Sequence, residues 1–170
     1  MTATQDSLRS SYREMLIEHL LVGEIMKFLW LRGVSDFEVL KPEVDDSGYD
    51  LVLEARSVLR HVQLKSSFDD AKTARVNVSM KLAQKPSGCV VWVRFNPRTL
   101  RLGPFFYFGG APGQPLPDIS AYDVSKHAKG NAQGVKLPRA GLRVVKRGQF
   151  RQLAEVDDLV AELFGAFGPG

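Results

Sequence analysis

A carboxylate, an amide and an amine lie close together in the first half of the chain. Asp50 opens an apolar run that reads as a strand, and Gln63 and Lys65 lie in the next such run. Oxygen donors of this kind suit a hard divalent cation. A lysine beside such a cation can stabilise charge on a reacting phosphate or position the attacking water. These residue types therefore indicate a metal-assisted hydrolytic site.

Two short strands have to position these side chains. Glu54 and Leu59 bracket a loop of four residues. If they pair in an antiparallel hairpin, Asp50 lies opposite Gln63, with Cβ atoms about 5 Å apart. Lys65 is two residues further along and points to the same face, roughly 6.5 Å away. An odd loop would instead place Lys65 on the other face.

A long helix over residues 10–32 is expected before these strands. Its apolar stripe includes one acid, Glu24. A carboxylate in such a stripe would lose hydration, so it needs a partner, either the metal site or the nearby Lys27 or Arg32. The stripe follows a 4-3-4-3 spacing and consists of Ile17, Leu21, Glu24, Phe28 and Leu31.

The pattern of Asp50, Gln63 and Lys65 resembles the PD-(D/E)XK nuclease superfamily. That family has an αβββαβ core with an acid on the second strand and an acid-x-lysine motif on the third. The match covers roughly residues 15–95, with Tyr49 in place of the motif proline and Gln63 in place of the acid. Many members also carry a glutamate in the first helix, which corresponds here to Glu24.

The resemblance implies a metal-dependent endonuclease that hydrolyses DNA. Asp50, Gln63 and Glu24 would hold Mg²⁺ or Mn²⁺, and with Lys65 they form the predicted catalytic set. Two other functions stay open. Gln63 brings no charge to a metal, which favours a nucleic-acid-binding module of the same fold without turnover. A structural or protein-interaction domain is the third. The alternative to a metal site is that Asp50 is only a strand-entry acid and that Glu24 pairs with Lys27 or Arg32.

The distribution of charge points to a polyanionic partner. The chain has a net charge of +4, and residues 126–151 hold eight lysines and arginines without one acid. Such a segment suits a phosphate backbone, although a solvated basic face with no partner explains it too. The residues expected to contact DNA are Lys126, His127, Lys129, Arg139, Arg143, Lys146 and Arg147.

The length of 170 residues predicts one α/β domain. We expect a mixed central sheet, with the first helix on one side and a second helix, over residues 71–84, on the other. The restriction-endonuclease-like core would span about 10–108. A basic extension over 109–170 would add a strand at 142–145 and a helix at 156–164.

The absence of certain sequence features disfavours membrane, secreted, disulfide-bonded and zinc-binding proteins. No apolar run approaches the ~20 residues of a membrane span, and the first residues do not read as a signal peptide. One cysteine, Cys89, cannot form an internal disulfide, which fits a cytoplasmic protein with a buried thiol. Three scattered histidines make no zinc signature. The aromatic run at 105–108 reads as core, or as the contact of a possible homodimer.

Overall fold

The computed structural model describes residues 3–44 and 46–168. It shows a mixed α/β protein with two α-helices and nine strands in this part of the chain. In chain order the elements are α1 (Ala3–Trp30), β1 (Glu38–Leu40), β2 (Leu51–Ala55), β3 (Val58–Phe68), β4 (Arg75–Ser79), a 3-10 turn (Leu82–Gln84), β5 (Gly88–Phe95), β6 (Leu102–Gly109), β7 (Val124–Lys126), β8 (Pro138–Lys146), a 3-10 turn (Arg147–Gln149), β9 (Arg151–Leu153) and α2 (Val156–Phe164).

The main sheet has six strands in the order β1-β2-β3-β5-β6-β9. Only β3 and β5 pair in parallel among them, so the sheet is mixed, as predicted. The β2–β3 hairpin pairs Glu54 with Leu59, which confirms the predicted register. Its tip is the two-residue turn Arg56-Ser57, where both residues have positive φ, as a type I′ turn requires.

Helix α1 buries a different stripe from the predicted one. Ile25, rather than Glu24, lies in the core. Leu31 lies beyond the last residue of the helix and is 71% exposed. One residue turns a helix by about 100°, so choosing position 24 instead of 25 moves a side chain off the core face. Over residues 9–30 of α1, for which burial is described, the buried residues are Ile17, Leu21, Ile25, Phe28 and Leu29.

The prediction of a helix over residues 71–84 is wrong. This segment forms β4 and a single 3-10 turn. Val76 and Val78 alternate with Arg75 and Asn77, and β-branched residues at a period of two favour a strand. The strand pairs with β8, and β7 completes a second, three-stranded sheet.

The molecule therefore has three layers. Both helices pack on one face of the main sheet, where the first core cluster lies. The expectation of a second helix on the opposite face is wrong, because the small sheet and a loop cover that face instead. The second cluster consists of Val78, Leu82, Val90, Trp92, Phe106, Phe108, Leu116, Ile119, Val145 and Phe150.

The C-terminal part is built into the same core. The final helix is confirmed as α2, and its Leu159, Val160 and Leu163 are fully buried against the main sheet. The predicted strand at 142–145 is part of the longer β8. Strand β9 pairs with β6 and forms the last strand of the main sheet.

Strand β6 carries the aromatic run and lies between β5 and β9. Its four consecutive aromatic residues are at most 6% exposed, so they belong to the core and offer no surface for the homodimer contact expected there. They are Phe105, Phe106, Tyr107 and Phe108.

The thiol of Cys89, on the neighbouring strand β5, is also buried, and burial raises its pKa to about 12. A buried thiol with a raised pKa stays protonated at neutral pH and is a poor nucleophile, which fits the expected packing role of Cys89.

Arg60 is a fully buried cation in β3. Its Nε donates to the Leu163 carbonyl (2.7 Å), and its Nη2 donates to the carbonyls of Glu162 (2.8 Å) and Gly110 (3.2 Å). Leu163 and Glu162 lie in the last turn of α2, where carbonyls lack helical partners and the helix dipole is negative. Arg60 thus fastens the C-terminal end of α2 to the main sheet.

In the part of the chain that the structure describes, none of the helices combines the length and the apolar character needed to cross a membrane.

Candidate active site

Three of the four residues of the predicted catalytic set meet in one cleft of about 610 Å³, here called the Asp50 cleft. Leu51 pairs with Val62, and the Asp50 N–H also donates to the Val62 carbonyl (2.8 Å), so the regular pairing ends at Leu51 and this bond holds Asp50 directly before β2. Asp50, Gln63 and Lys65 all line this cleft, and Lys65 lies two residues beyond Gln63 on β3. The side chains that the sequence placed on one face therefore share one cavity.

The carboxylate of Asp50 is held against β3. The Leu64 N–H donates to Asp50 Oδ2 at 2.6 Å. Strand β3 runs past the start of β2, so this N–H lies beyond the last β2–β3 pair and takes a side chain as its partner. A short bond to an ionised oxygen is stronger than a neutral one. The bond fixes one oxygen of Asp50 at the edge of the cleft.

The amide of Gln63 joins the main sheet to β4. Gln63 is buried, and its Oε1 accepts a hydrogen bond from the Ser79 N–H (3.1 Å). An amide oxygen has two lone pairs, so this bond leaves room for one further contact. The sequence predicts a helix over residues 71–84, so the contact of β4 with the site was missed.

Glu24 is not in the Asp50 cleft, and its predicted place in the catalytic set is wrong. It lines a separate cavity with Arg101 and Glu155. Its carboxylate forms an ion pair with Lys27 at 2.5 Å and is 43% exposed. The structure therefore agrees with the alternative prediction, in which Glu24 pairs with Lys27.

Two other glutamates of α1, Glu14 and Glu18, line the Asp50 cleft instead. Glu18 is only 14% exposed and forms an ion pair with Lys41. Glu14 accepts a hydrogen bond from the Ser10 hydroxyl (3.1 Å). Residues four apart share a helix face, so the spacing of these two acids was a signal that could have found them.

The Asp50 cleft brings opposite charges together. Its acids are Glu14, Glu18 and Asp50, and its bases are Arg13, Lys65 and Arg139. The lining residues come from helix α1, from the main sheet, and from the small sheet, which contributes Asn77 of β4 with Arg139 and Leu142 of β8. Arg139 was expected to contact DNA from charge alone, and the structure places it beside the candidate site.

The donors of this cleft are carboxylate and amide oxygens, which are the ligands that Mg²⁺ and Mn²⁺ prefer. Within residues 3–44 and 46–168, no three His, Cys, Asp or Glu side chains are grouped closely enough to hold a metal. Mg²⁺ needs only one or two carboxylates and keeps several waters. The donor types therefore fit such a cation, and affinity without a phosphate ligand is expected to be weak.

The seven predicted DNA contacts do not form one surface. His127, Lys129 and Arg139 line a second cavity, in the loop between β7 and β8, and Lys126 lies at the start of that loop. Lys146 and Arg147 are exposed at the other end of β8, seven residues or roughly 23 Å from Arg139.

Arg143, the remaining residue of the seven, is tied to the backbone. Its Nη1 donates to the carbonyls of Ala140 (2.7 Å) and Leu142 (3.2 Å), and its Nε donates to that of Ser120 (3.3 Å). These bonds engage the guanidinium within the small sheet and its neighbouring loop, so we assign Arg143 a structural part.

Gly48 sets the approach of the chain to Asp50. Its φ is +80°, and a Cβ there would lie 2.8 Å from Ser79 Oγ and 3.0 Å from the Leu82 N. We expect Gly48→Ala to lower the free energy of unfolding by about 3 kcal/mol, because alanine disfavours a positive φ and its Cβ would make these close contacts. Urea unfolding measures the change.

Gly33→Ala is the matched control for this substitution. Gly33 has a φ of +73° and nothing within 4 Å of an added Cβ, so only the conformational cost of about 1 kcal/mol applies. Equal losses for the two variants would show that the contacts of Gly48 with β4 and the 3-10 turn do not matter.

Comparison of the chain with family models, with curated proteins and with solved structures gives no significant match in any of the three.

Proposed function

We propose that this protein hydrolyses phosphodiester bonds of DNA at the Asp50 cleft, with Mg²⁺ or Mn²⁺ as cofactor. The observation that carries the proposal is the convergence of Asp50, Gln63 and Lys65 with two carboxylates of α1 in one cavity. Acidic ligands, a lysine and an arginine that reaches the same space are the groups that phosphoryl transfer to water requires.

The order of elements supports the resemblance to the PD-(D/E)XK superfamily. A helix is followed by three antiparallel strands and then by a strand parallel to the third. Asp50 precedes the second strand directly, and Gln63 and Lys65 lie on the third. One difference counts against the likeness, since the crossover from β3 to β5 contains β4 where the superfamily has a helix. The restriction-endonuclease-like arrangement therefore forms part of the proposal.

Each residue has a distinct part in this proposal. Asp50 and Glu18 would hold the cation. Gln63 Oε1 would contact it with the lone pair that does not accept from Ser79. A bound divalent cation supplies Lewis-acid polarisation of a phosphoryl oxygen. Lys65 stabilises the negative charge that grows on the phosphate, and Arg139 binds a neighbouring phosphate. Glu18 replaces Glu24 as the helix acid.

A binding module without turnover is the second candidate. It is favoured by Gln63, whose oxygen already accepts a bond from Ser79 and which brings no charge. Such a protein would bind DNA without metal and would not cut it. The absence of cleavage of supercoiled plasmid by the unaltered protein in Mg²⁺ or Mn²⁺, together with retained DNA binding, would decide for this candidate.

The two glutamates of α1 provide a sharp test of the proposed site. Glu18→Gln removes a charge from the Asp50 cleft, and we expect Mn²⁺ affinity to fall about tenfold, with plasmid cleavage falling in parallel. Glu24→Gln changes the same group on the same helix outside the cleft and should leave both unaltered. Calorimetric titration with Mn²⁺ and a nicking assay with an EDTA control measure the two effects. Equal effects of the two variants would remove Glu18 from the site.

A further inference from the structure

Glu18 has the side chain of Lys41 as its counter-ion. The carboxylate of Glu18 lines the Asp50 cleft and is only 14% exposed, and Lys41 Nζ forms an ion pair with its Oε1. A carboxylate with so little contact with water needs a partner charge. Lys41 therefore neutralises one of the two acids to which the proposed function assigns the divalent cation.

Lys41 reaches the site from the edge strand of the main sheet. It directly follows β1, whose last residue, Leu40, pairs with Val52 of β2. Lys41 therefore leaves β1 at the end of the sheet where Asp50 enters β2. The side chain of Lys41 is 52% exposed, and ion pairs with one such solvated partner are weak. Its ammonium group can therefore exchange Glu18 for water at little cost.

A divalent cation and the Lys41 ammonium group compete for the Glu18 carboxylate. Like charges a few ångström apart repel, so the two cations are not held by the same oxygens at once. The divalent cation has the advantage of the higher charge and of a second carboxylate ligand, Asp50, which lines the same cleft. It should therefore displace Lys41, but its affinity is lowered by the free energy of the ion pair that it breaks.

We infer that Lys41 is a positioning residue for the proposed metal site, where it holds the Glu18 carboxylate and competes with the divalent cation for it. The inference rests on the proposed function, because it concerns the same site. It adds to the residues that set metal affinity one that lies outside the predicted catalytic set. Loss of a competitor strengthens metal binding, whereas loss of a merely structural ion pair does not.

Replacement of Lys41 by methionine tests the competition. Methionine keeps most of the length of the side chain and removes its charge, so we expect Mn²⁺ affinity to rise about fivefold, the size of a partly exposed ion pair. Lys41→Arg keeps the charge and should bind Mn²⁺ with the parental affinity. Calorimetric titration of each folded variant with Mn²⁺ measures the change without any substrate.

Lys81→Met is the matched control. The Lys81 side chain has the same exposure of 52%, and its ion-pair partner is Asp46, which does not line the Asp50 cleft. Its loss should leave Mn²⁺ affinity at the parental value. A fivefold rise for this variant too would show that affinity follows net charge alone, and the assignment of Lys41 would be overturned.

A double variant shows whether Lys41 acts through Glu18. When Glu18→Gln is already present, the carboxylate for which the two cations compete is gone, so adding Lys41→Met should leave Mn²⁺ affinity unchanged. An equal rise with and without the Glu18 carboxylate would overturn the inference, because Lys41 would then act on the metal directly by its charge.

A nicking assay on the same proteins separates this inference from the proposed function. If Lys41→Met binds Mn²⁺ no more tightly than the parent, the competition is overturned, and the proposed function stands where the parent cleaves plasmid with Mn²⁺. If Lys41→Met binds Mn²⁺ more tightly and neither protein cleaves DNA, the competition stands and the hydrolytic function fails. If neither protein binds Mn²⁺, both proposals fail.

Discussion

Replacement of Lys65 by methionine should lower the rate of metal-dependent DNA cleavage by about 10²- to 10³-fold, as removal of one group that stabilises transition-state charge does. Methionine retains the length and the apolar stem of lysine, and Lys65 is only partly buried, so the fold should persist. Single-turnover cleavage of supercoiled plasmid in Mg²⁺, with protein in excess over DNA, isolates the chemical step from binding.

Lys72→Met is the control for this experiment, because it removes an exposed lysine outside the Asp50 cleft. It should cleave at the parental rate. Cleavage by Lys65→Met at that same rate would show that the growing charge is stabilised by another group, and Lys65 would then lose its catalytic assignment. A circular dichroism spectrum of each variant confirms that the comparison is made between folded proteins.

Replacement of Arg60 by methionine should lower the free energy of unfolding by about 3 kcal/mol. The carbonyls of Leu163 and Glu162 would stay buried without their donor, at about 1–3 kcal/mol each. Some of this loss is offset, because a buried cation is itself costly and Arg60 Nη1 has no hydrogen-bond partner within the described residues. Urea denaturation followed by tryptophan fluorescence measures the change.

Arg98→Met provides the comparison, since Arg98 is exposed in the turn between β5 and β6. Its replacement should change stability by less than about 0.5 kcal/mol. Equal stability of Arg60→Met and the parent would mean that α2 is held by its apolar face alone.

The hairpin that carries Asp50, Gln63 and Lys65 could be predicted from the sequence because its information is local. Two apolar, β-branched runs lie close together in the chain, and the pairing of Glu54 with Leu59 across the intervening loop sets the register. The positions of Asp50, Gln63 and Lys65 along the hairpin depend on little other information. The exact turn was less accessible, since Arg56-Ser57 lacks the Asn-Gly or Asp-Gly signal of a type I′ turn.

The rest of the site depends on packing between distant segments. Two neighbouring stripes on α1 satisfy a helical spacing almost equally, and only contact with the main sheet selects the one that contains Ile25 and leaves Glu24 outside. Strand β4 is specified by its pairing with β8, where Val78 meets Arg143. A window of neighbouring residues contains no information on that partner, so its valines could be read as part of a helix.

The pairing of β6 with β9 has a consequence for synthesis on the ribosome. Gly109 ends β6 and Arg151 begins β9, so 151 − 109 = 42 positions separate them in the chain. At about 5–20 residues per second, that separation takes roughly 2–8 s to translate. For that interval an aromatic strand has one open edge, and α2 has yet to cover its part of the core. An unpaired apolar strand edge can pair with other chains, so the translation rate of this stretch sets how long the edge of β6 is exposed to such pairing.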